Sequence, residues 1–130
     1  MSLSGNYAGQ GSVGREGFPT DRQGKLFSHP TTAGLFQSVS EGITVAEISG
    51  SKTSSASYTE VLRNTRGKAT VGAVEELLPN NKMQRTLVHG AFTSLYSGPS
   101  WDSNPWSFNS PSSPGTPQFF SNIACWSVGL

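Results

Sequence analysis

The stretch that decides the fold, residues 42–97, reads GITVAEISGSKTSSASYTEVLRNTRGKATVGAVEELLPNNKMQRTLVHGAFTSLYS. Alternating β-branched residues at 43–49, bounded by two glycines, are typical of a strand. Residues 57–63 have the composition of a second strand. The turn residues of Asn64–Gly67 then lead into a third strand at 68–74. The pattern predicts short strands joined in a small antiparallel meander.

Two further elements complete this central unit. Residues 83–96 predict another strand, bent or bulged at Gly90. The segment before it is ambiguous, because 73–78 is rich in helix-forming residues. Thr70 is a suitable helix cap and Pro79 a suitable stop, so the sequence allows one short helix near 70–78.

The composition is poor in both apolar and charged residues. Of 130 residues, 34% are hydrophobic and 13% charged, against roughly 45–50% and about 25% in an ordinary soluble domain. Serine, glycine and proline supply 21, 15 and 8 residues instead. A chain of this length builds one core at most. We therefore expect a mainly β fold with a β-rich unit at 42–97, an extended glycine-rich arm at 1–41, and an uncharged aromatic arm at 98–130 that ends in a strand at 118–128.

Charge and hydropathy exclude several classes of protein. The formal net charge is +1, which is too small to hold nucleic acid through counter-ion release. No apolar run approaches the about 20 residues of a membrane span, and the N-terminus lacks the features of a secretory signal. Cys125 is the sole cysteine, so no intramolecular disulfide is expected. These features predict a cytoplasmic protein without a membrane span.

No motif for catalysis or cofactor binding has the context that it needs. Gly9-x-Gly11-x-x-Gly14 matches a dinucleotide-binding fingerprint as text, but neither the strand nor the helix that makes the fingerprint work is indicated around it. His29, His89 and Cys125 are too far apart in sequence for local metal-ligand spacing. The sequence predicts no enzyme, no catalytic residue, no cofactor and no metal.

Charges and aromatic residues are distributed unevenly. Residues 86–130 contain one charged residue, Asp102, and eight of the 13 aromatic residues. Disordered tails normally stay soluble through high charge and few aromatics. This segment is therefore expected to pack against something.

Aromatic anchors between small residues predict contacts with a protein partner, since aromatics are enriched at interfaces. The candidate partner-binding residues are Phe27, Phe36, Trp101, Trp106, Phe108, Phe119, Phe120 and Trp126. The loop 101–108 carries three of them beside Asp102 and Asn104. Such a loop fits a protein interface, packing against its own core, or stacking on a sugar ring.

The favoured function is a non-enzymatic structural or interaction protein whose arms dock onto neighbouring proteins of a large assembly. Settings of this kind are a capsid or tail, a cytoskeletal lattice or a multiprotein complex, with homo- or hetero-oligomeric partners. The alternative is a self-contained β domain that binds a glycan or another small ligand through Trp101–Phe108. Three Ser/Thr-Pro steps, at Ser110, Ser113 and Thr116, are candidate phosphate acceptors or simple turn material.

Overall fold

The computed structural model describes residues 2–8, 12–13, 25–35, 39–40, 42, 44–49, 58–64, 67–104 and 107–130. Strands dominate these segments, and a single α-helix lies at their C-terminal end. The strands are β1 (Ser2–Ala8), β2 (Ser12–Val13), β3 (Lys25–Leu26), β4 (Val39–Ser40), β5 (Thr44–Ser49), β6 (Thr59–Arg63), β7 (Ala69–Leu77) and β8 (Met83–His89), followed by the helix α1 (Thr116–Ser127). Short 3-10 turns lie at Pro30–Thr32 and Phe92–Leu95.

The principal sheet has the strand order β3-β6-β7-β8, and every neighbouring pair is antiparallel. β7 and β8 run in unbroken register from Val71 opposite His89 to Leu77 opposite Met83. The register between β6 and β7 shifts on either side of Leu62. The mainly β class and the antiparallel meander predicted from the sequence are confirmed.

Asparagine helps to close both hairpins of the meander, together with glycine in the first. Between β6 and β7, the Asn64 Oδ1 accepts a 2.9 Å hydrogen bond from the N–H of Lys68, and Gly67 adopts a φ of +79°. Between β7 and β8, the N–H of Leu78 donates to the carbonyl of Lys82 at 2.8 Å. Asn81 has a φ of +62° there, which asparagine tolerates better than most residues.

The short helix predicted near 70–78 is wrong, because β7 occupies 69–77. An isolated helix of about two turns is marginal in water. In the hairpin the same residues have a partner at every position, including Glu75 opposite Arg85 and Glu76 opposite Gln84. Cross-strand pairing therefore outweighs local helix propensity here.

β5, predicted as part of the meander, pairs instead with β1 in a separate two-stranded ribbon, and β2 pairs with β4. Gly90, just after β8, joins the ribbon to the principal sheet. Its N–H donates to the carbonyl of Thr70 at 2.7 Å, and its carbonyl accepts from the N–H of Ala46 at 2.8 Å. A Cβ at Gly90 would lie 1.9 Å from the Ala46 carbonyl oxygen, so this approach requires glycine.

The strand predicted at 118–128 is also wrong, because these residues form most of α1. Pro117 lies in the first turn, where its missing N–H costs nothing. Phe119, Ile123 and Trp126 share one helical face and pack into the core. A β-strand would instead have divided these three side chains between two faces of a sheet.

Polar contacts also hold α1 against the preceding chain. The Nδ2 of Asn122 donates to the carbonyls of Thr31 at 3.1 Å and Ala33 at 3.0 Å. The buried Thr116 hydroxyl accepts from the N–H of Ser40 at 2.9 Å and donates to the carbonyl of Ser113 at 2.9 Å. The bonds to Thr31, Ala33 and Ser40 join the C-terminal helix to segments more than 75 residues away in sequence.

The core lies between α1 and one face of the principal sheet. Its members come from β3, β4, β6, β7, α1 and the segment after the first 3-10 turn: Leu26, Leu35, Val39, Val61, Leu62, Val71, Ala73, Phe119 and Trp126. Leu87 and Ile123 pack against it. Burial of this apolar surface is the main favourable contribution to folding.

Candidate functional site

The structure places the eight candidate aromatics in different environments. Phe36 and Trp106 lie outside the described residues. Phe119 and Trp126 are buried in the core, whereas Phe27, Phe108 and Phe120 are half-buried and Trp101 is exposed. Their role in partner binding stays a prediction. Among the described ones, Trp101 is the most exposed.

Three of the candidates meet around His89 in an inner aromatic cluster. The Phe120 ring stacks on the His89 ring, with centroids 5.4 Å apart and an angle of 22° between planes. Phe119 lies 5.8 Å from Phe120, and Phe108 lies 6.0 Å from it on another side. The arrangement ties the end of β8 to α1 and to the loop at 107–110.

The strongest candidate for recognition is the aromatic corner, formed by Leu95, Tyr96, Ser97 and Trp101. The exposed fractions of Leu95, Tyr96 and Trp101 are 52%, 38% and 45%. The Tyr96 and Trp101 ring centroids are 5.6 Å apart with planes at 55°. These residues line an open cavity of about 520 Å³.

A turn with its own hydrogen bonds fixes Trp101. The N–H groups of Trp101 and Asp102 both donate to the carbonyl of Gly98 at 2.9 Å. The Asp102 Oδ1 accepts from the N–H of Gly98 at 3.0 Å. Gly98 adopts a φ of +124°, a conformation that other residues rarely take. These bonds close the turn on itself and help to hold Trp101 in place.

Tyr96 belongs to the corner but was not among the candidate residues. The strand expected at 83–96 ends at His89, and the chain continues into the 3-10 turn Phe92–Leu95. The N–H of Tyr96 then donates to the carbonyl of Thr93 at 3.0 Å, and its own carbonyl accepts from the N–H of Phe108 at 2.7 Å. The Ser-Gly-Pro turn signal directly after Tyr96 indicates a loop here and is the sequence feature that could have identified it.

The aromatic corner has almost no charge. Asp102 is the sole charged residue in 86–130, and one of its oxygens is occupied by the turn. The Nδ2 of Asn104 likewise donates to the carbonyl of Trp101 at 3.1 Å. The surface therefore offers flat apolar rings rather than an ionic or nucleophilic group.

A second, polar cavity of about 410 Å³ lies where β6 begins beside β7. Its lining consists of His29, Pro30, Tyr58, Thr59, Ala73, Val74 and Glu75. The Glu75 Oε1 accepts from the Nε1 of Trp126 at 3.0 Å and from the Nε of Arg85 at 3.4 Å. The Arg85 guanidinium also lies over the Trp126 ring, 6.0 Å from its centroid.

The His29 ring contributes to this cavity as a neutral group. Burial lowers the pKa of His29, and the negative charge of Glu75 partly opposes that effect. Its Nδ1 accepts from the N–H of Thr31 at 3.2 Å, which favours the tautomer with the proton on Nε2. The ring packs edge-on against Trp126 at 5.0 Å. This cluster stabilises the junction between α1 and β7.

In the segments that the structure describes, no three His, Cys, Asp or Glu side chains come together in a group that could hold a metal ion. None of the described helices is both long and apolar enough to cross a membrane. Comparison with known proteins gave no match to a family model, a curated protein or a solved structure.

Proposed function

We propose that this protein is a non-enzymatic interaction subunit that docks onto another protein through the aromatic corner. The observation that carries the proposal is the exposed pair of rings at Tyr96 and Trp101, held on a turn that satisfies its own polar groups. The partner surface it fits is uncharged and contains an apolar side chain to insert between the two rings.

The energetics of protein interfaces support this proposal. Tyrosine and tryptophan are the residues most enriched among interface hot spots, where truncation to alanine costs about 2 kcal/mol or more. Large rings bury much apolar surface and lose little conformational freedom. The internal hydrogen bonds of the turn hold Trp101 in place before binding, so little ordering entropy remains to be lost on association.

The polar groups beside the rings support a protein partner over a sugar. Sugar recognition combines ring stacking with side-chain bonds to hydroxyl groups. The Oδ1 of Asp102 and the Nδ2 of Asn104 are instead used within the turn. A protein partner needs no such bonds, because apolar packing at the centre of an interface supplies most of its affinity.

The test has two stages. A photo-crosslinking amino acid at Ser97, inside the corner, is compared with the same amino acid at Leu130, an exposed position outside it. A protein captured from Ser97 but not from Leu130 is then purified, and its affinity for the full chain is measured by calorimetry. The variants are Trp101→Ala and, as a matched exposed apolar control, Leu130→Ala.

We expect Trp101→Ala to weaken binding by about 30-fold, equivalent to about 2 kcal/mol. The affinity of Leu130→Ala should be unchanged, and both variants should unfold at the same urea concentration as the parent chain. Equal weakening by the two substitutions would contradict the proposal. Binding to a glycan array that Trp101→Ala removes would favour the sugar-binding alternative instead.

A further inference from the structure

Among the described strands, β8 forms one edge of the principal sheet, because the strand order ends with it. The strand is seven residues long and contains no proline. Proteins commonly protect such an edge with proline, an inward-pointing charge or a covering segment. In the described structure no further strand covers the outer edge of β8, and the charge that it carries on the α1 side, Arg85, is bonded to Glu75.

The register shows which backbone groups of β8 point outward. Hydrogen bonds join Leu78 to Lys82 at one end of the hairpin and Thr70 to Gly90 at the other. In an antiparallel ladder, hydrogen-bonded pairs alternate with non-bonded pairs. The even-numbered residues of β8 therefore bond to β7, while the N–H and C=O groups of Met83, Arg85 and Leu87 point away from it. These outward groups make no hydrogen bond to any described part of the chain.

The side chains of β8 also alternate. Arg85 and Leu87 lie on the face that α1 covers, where Leu87 packs against the core and Arg85 bonds to Glu75. Gln84 and Thr86 lie on the opposite face and are exposed. Met83 is 45% exposed on the α1 side, opposite Leu77, which is 64% exposed. A strand that adds to this edge would need an apolar and a polar face in the same alternation.

We propose that the edge of β8 pairs with β8 of a second copy of this chain, antiparallel and centred on Thr86. β8 itself has the alternation that its edge requires. Only odd-numbered residues have outward backbone groups, so a symmetric register must join odd positions of the two copies. A register centred on Thr86 does so. The backbone groups of Arg85 then bond to those of Leu87 in the second copy, and the backbone groups of Leu87 bond to those of Arg85 in the second copy. The two sheets become one continuous sheet with a twofold axis.

The charges favour this register over the one centred on Arg85. Centring on Arg85 would place two like charges directly opposite each other, which destabilises a strand pair. Centring on Thr86 places Arg85 opposite an uncharged leucine and Thr86 opposite a threonine. Threonine pairs across strands are favourable. Arg85 meanwhile keeps its 3.4 Å bond to Glu75 within its own copy.

A disulfide trap tests the register. In the proposed dimer, Thr86 faces its own symmetry mate in a non-hydrogen-bonded pair, with Cα atoms about 4.5 Å apart. Gln84 is displaced from Gln84 of the second copy by four residues, about 14 Å, which is too far for a disulfide. The full chain with Cys125→Ser and Thr86→Cys is oxidised with glutathione beside the matched control with Cys125→Ser and Gln84→Cys. Only the Thr86→Cys chain should form a covalent dimer rapidly.

Sedimentation velocity provides an independent readout. Thr86→Lys places two positive charges opposite each other in the dimer but changes only an exposed side chain in the monomer. We expect the parent chain and Thr86→Val to sediment as dimers, and Thr86→Lys to sediment as a monomer with an unchanged circular dichroism spectrum. Trp101→Ala should remain dimeric, which separates this proposal from docking at the aromatic corner.

Two results would overturn the proposal. One is a parent chain that stays monomeric at its highest soluble concentration. The other is a dimer that Thr86→Lys leaves intact and in which the Thr86 and Gln84 cysteines cross-link at equal rates.

Discussion

His89 makes the stability of this protein sensitive to mild acid. Its Nδ1 accepts from the N–H of Ala91 at 3.1 Å, and its buried Nε2 has no hydrogen-bond partner among the described residues. The rings packed on it, Phe119 and Phe120, are uncharged, as is every residue of α1. Burial lowers the pKa of His89 from 6.5 to about 4. The folded protein therefore holds this ring neutral well below the pH at which the unfolded chain protonates it.

The size of this stability loss follows from the linkage between proton binding and folding. Because the folded pKa is lower than the unfolded one, the unfolded chain binds more protons between about pH 4 and 6.5, and stability falls as the pH falls through that window. Each pKa unit corresponds to 1.36 kcal/mol, so the full loss below pH 4 is about 3 kcal/mol. About 2 kcal/mol of it is already lost at pH 5, where carboxyl groups with ordinary pKa values remain largely ionised.

The assay is urea unfolding, followed by tryptophan fluorescence, at pH 7.5, 6 and 5. The comparison is His89→Phe, which keeps a ring of similar shape but does not titrate. The variant loses the acceptor for the Ala91 N–H at every pH, so its absolute stability is lower throughout. The free energy of unfolding of the parent chain should nevertheless fall by about 2 kcal/mol more than that of the variant between pH 7.5 and 5. Parallel pH profiles, or a His89 NMR titration with its midpoint near 6.5, would refute the reasoning.

Three substitutions test the core and its junctions by urea unfolding, with Leu130→Ala as the exposed control expected to change nothing. Phe119→Ala removes a ring that is 1% exposed and should cost about 3–5 kcal/mol; a cost below about 1 kcal/mol would contradict the packing of α1 on the sheet. Gly90→Ala should cost about 3 kcal/mol or more, because its Cβ meets a backbone oxygen at 1.9 Å; a neutral result would mean that β5 does not cross there. Trp126→Phe keeps an aromatic ring but loses the bond to Glu75 and should cost about 1 kcal/mol; the cost should disappear when Glu75→Ala, which removes the acceptor, is already present.

The meander could be predicted from local signals, because alternation and turn residues act over a few positions. The Asn64–Gly67 turn and the strands on either side of it are the clearest case. The end of β7 could not be predicted in the same way. Ala73–Leu77 has the composition of a helix and becomes a strand only because β8 lies beside it. Whether this segment forms a helix or a strand depends on the partner strand and not on the segment's own composition.

The C-terminal helix could not be predicted because its polar residues conceal its period. Serine and asparagine favour turns by propensity, yet Phe119, Ile123 and Trp126 recur at the spacing of one helical face. Of the candidate site, Trp101 could be predicted as a candidate residue, because aromatic residues are enriched at interfaces. Tyr96 joins it only through the turn geometry around Gly98, which depends on long-range bonds such as that between Tyr96 and Phe108.

The buried hydroxyl of Thr116 has a consequence for modification of the chain by kinases. Ser110, Ser113 and Thr116 each precede a proline, and all three are buried in the folded protein. A kinase binds its target segment in an extended form, which α1 and the turns before it do not offer. Phosphate on Thr116 would also remove the hydroxyl that bonds to Ser40 and Ser113 and bring a double negative charge into a closed site. A kinase could therefore reach these three residues only while the chain is newly made or unfolded, and a phosphate added to Thr116 at that stage would keep the helix from docking.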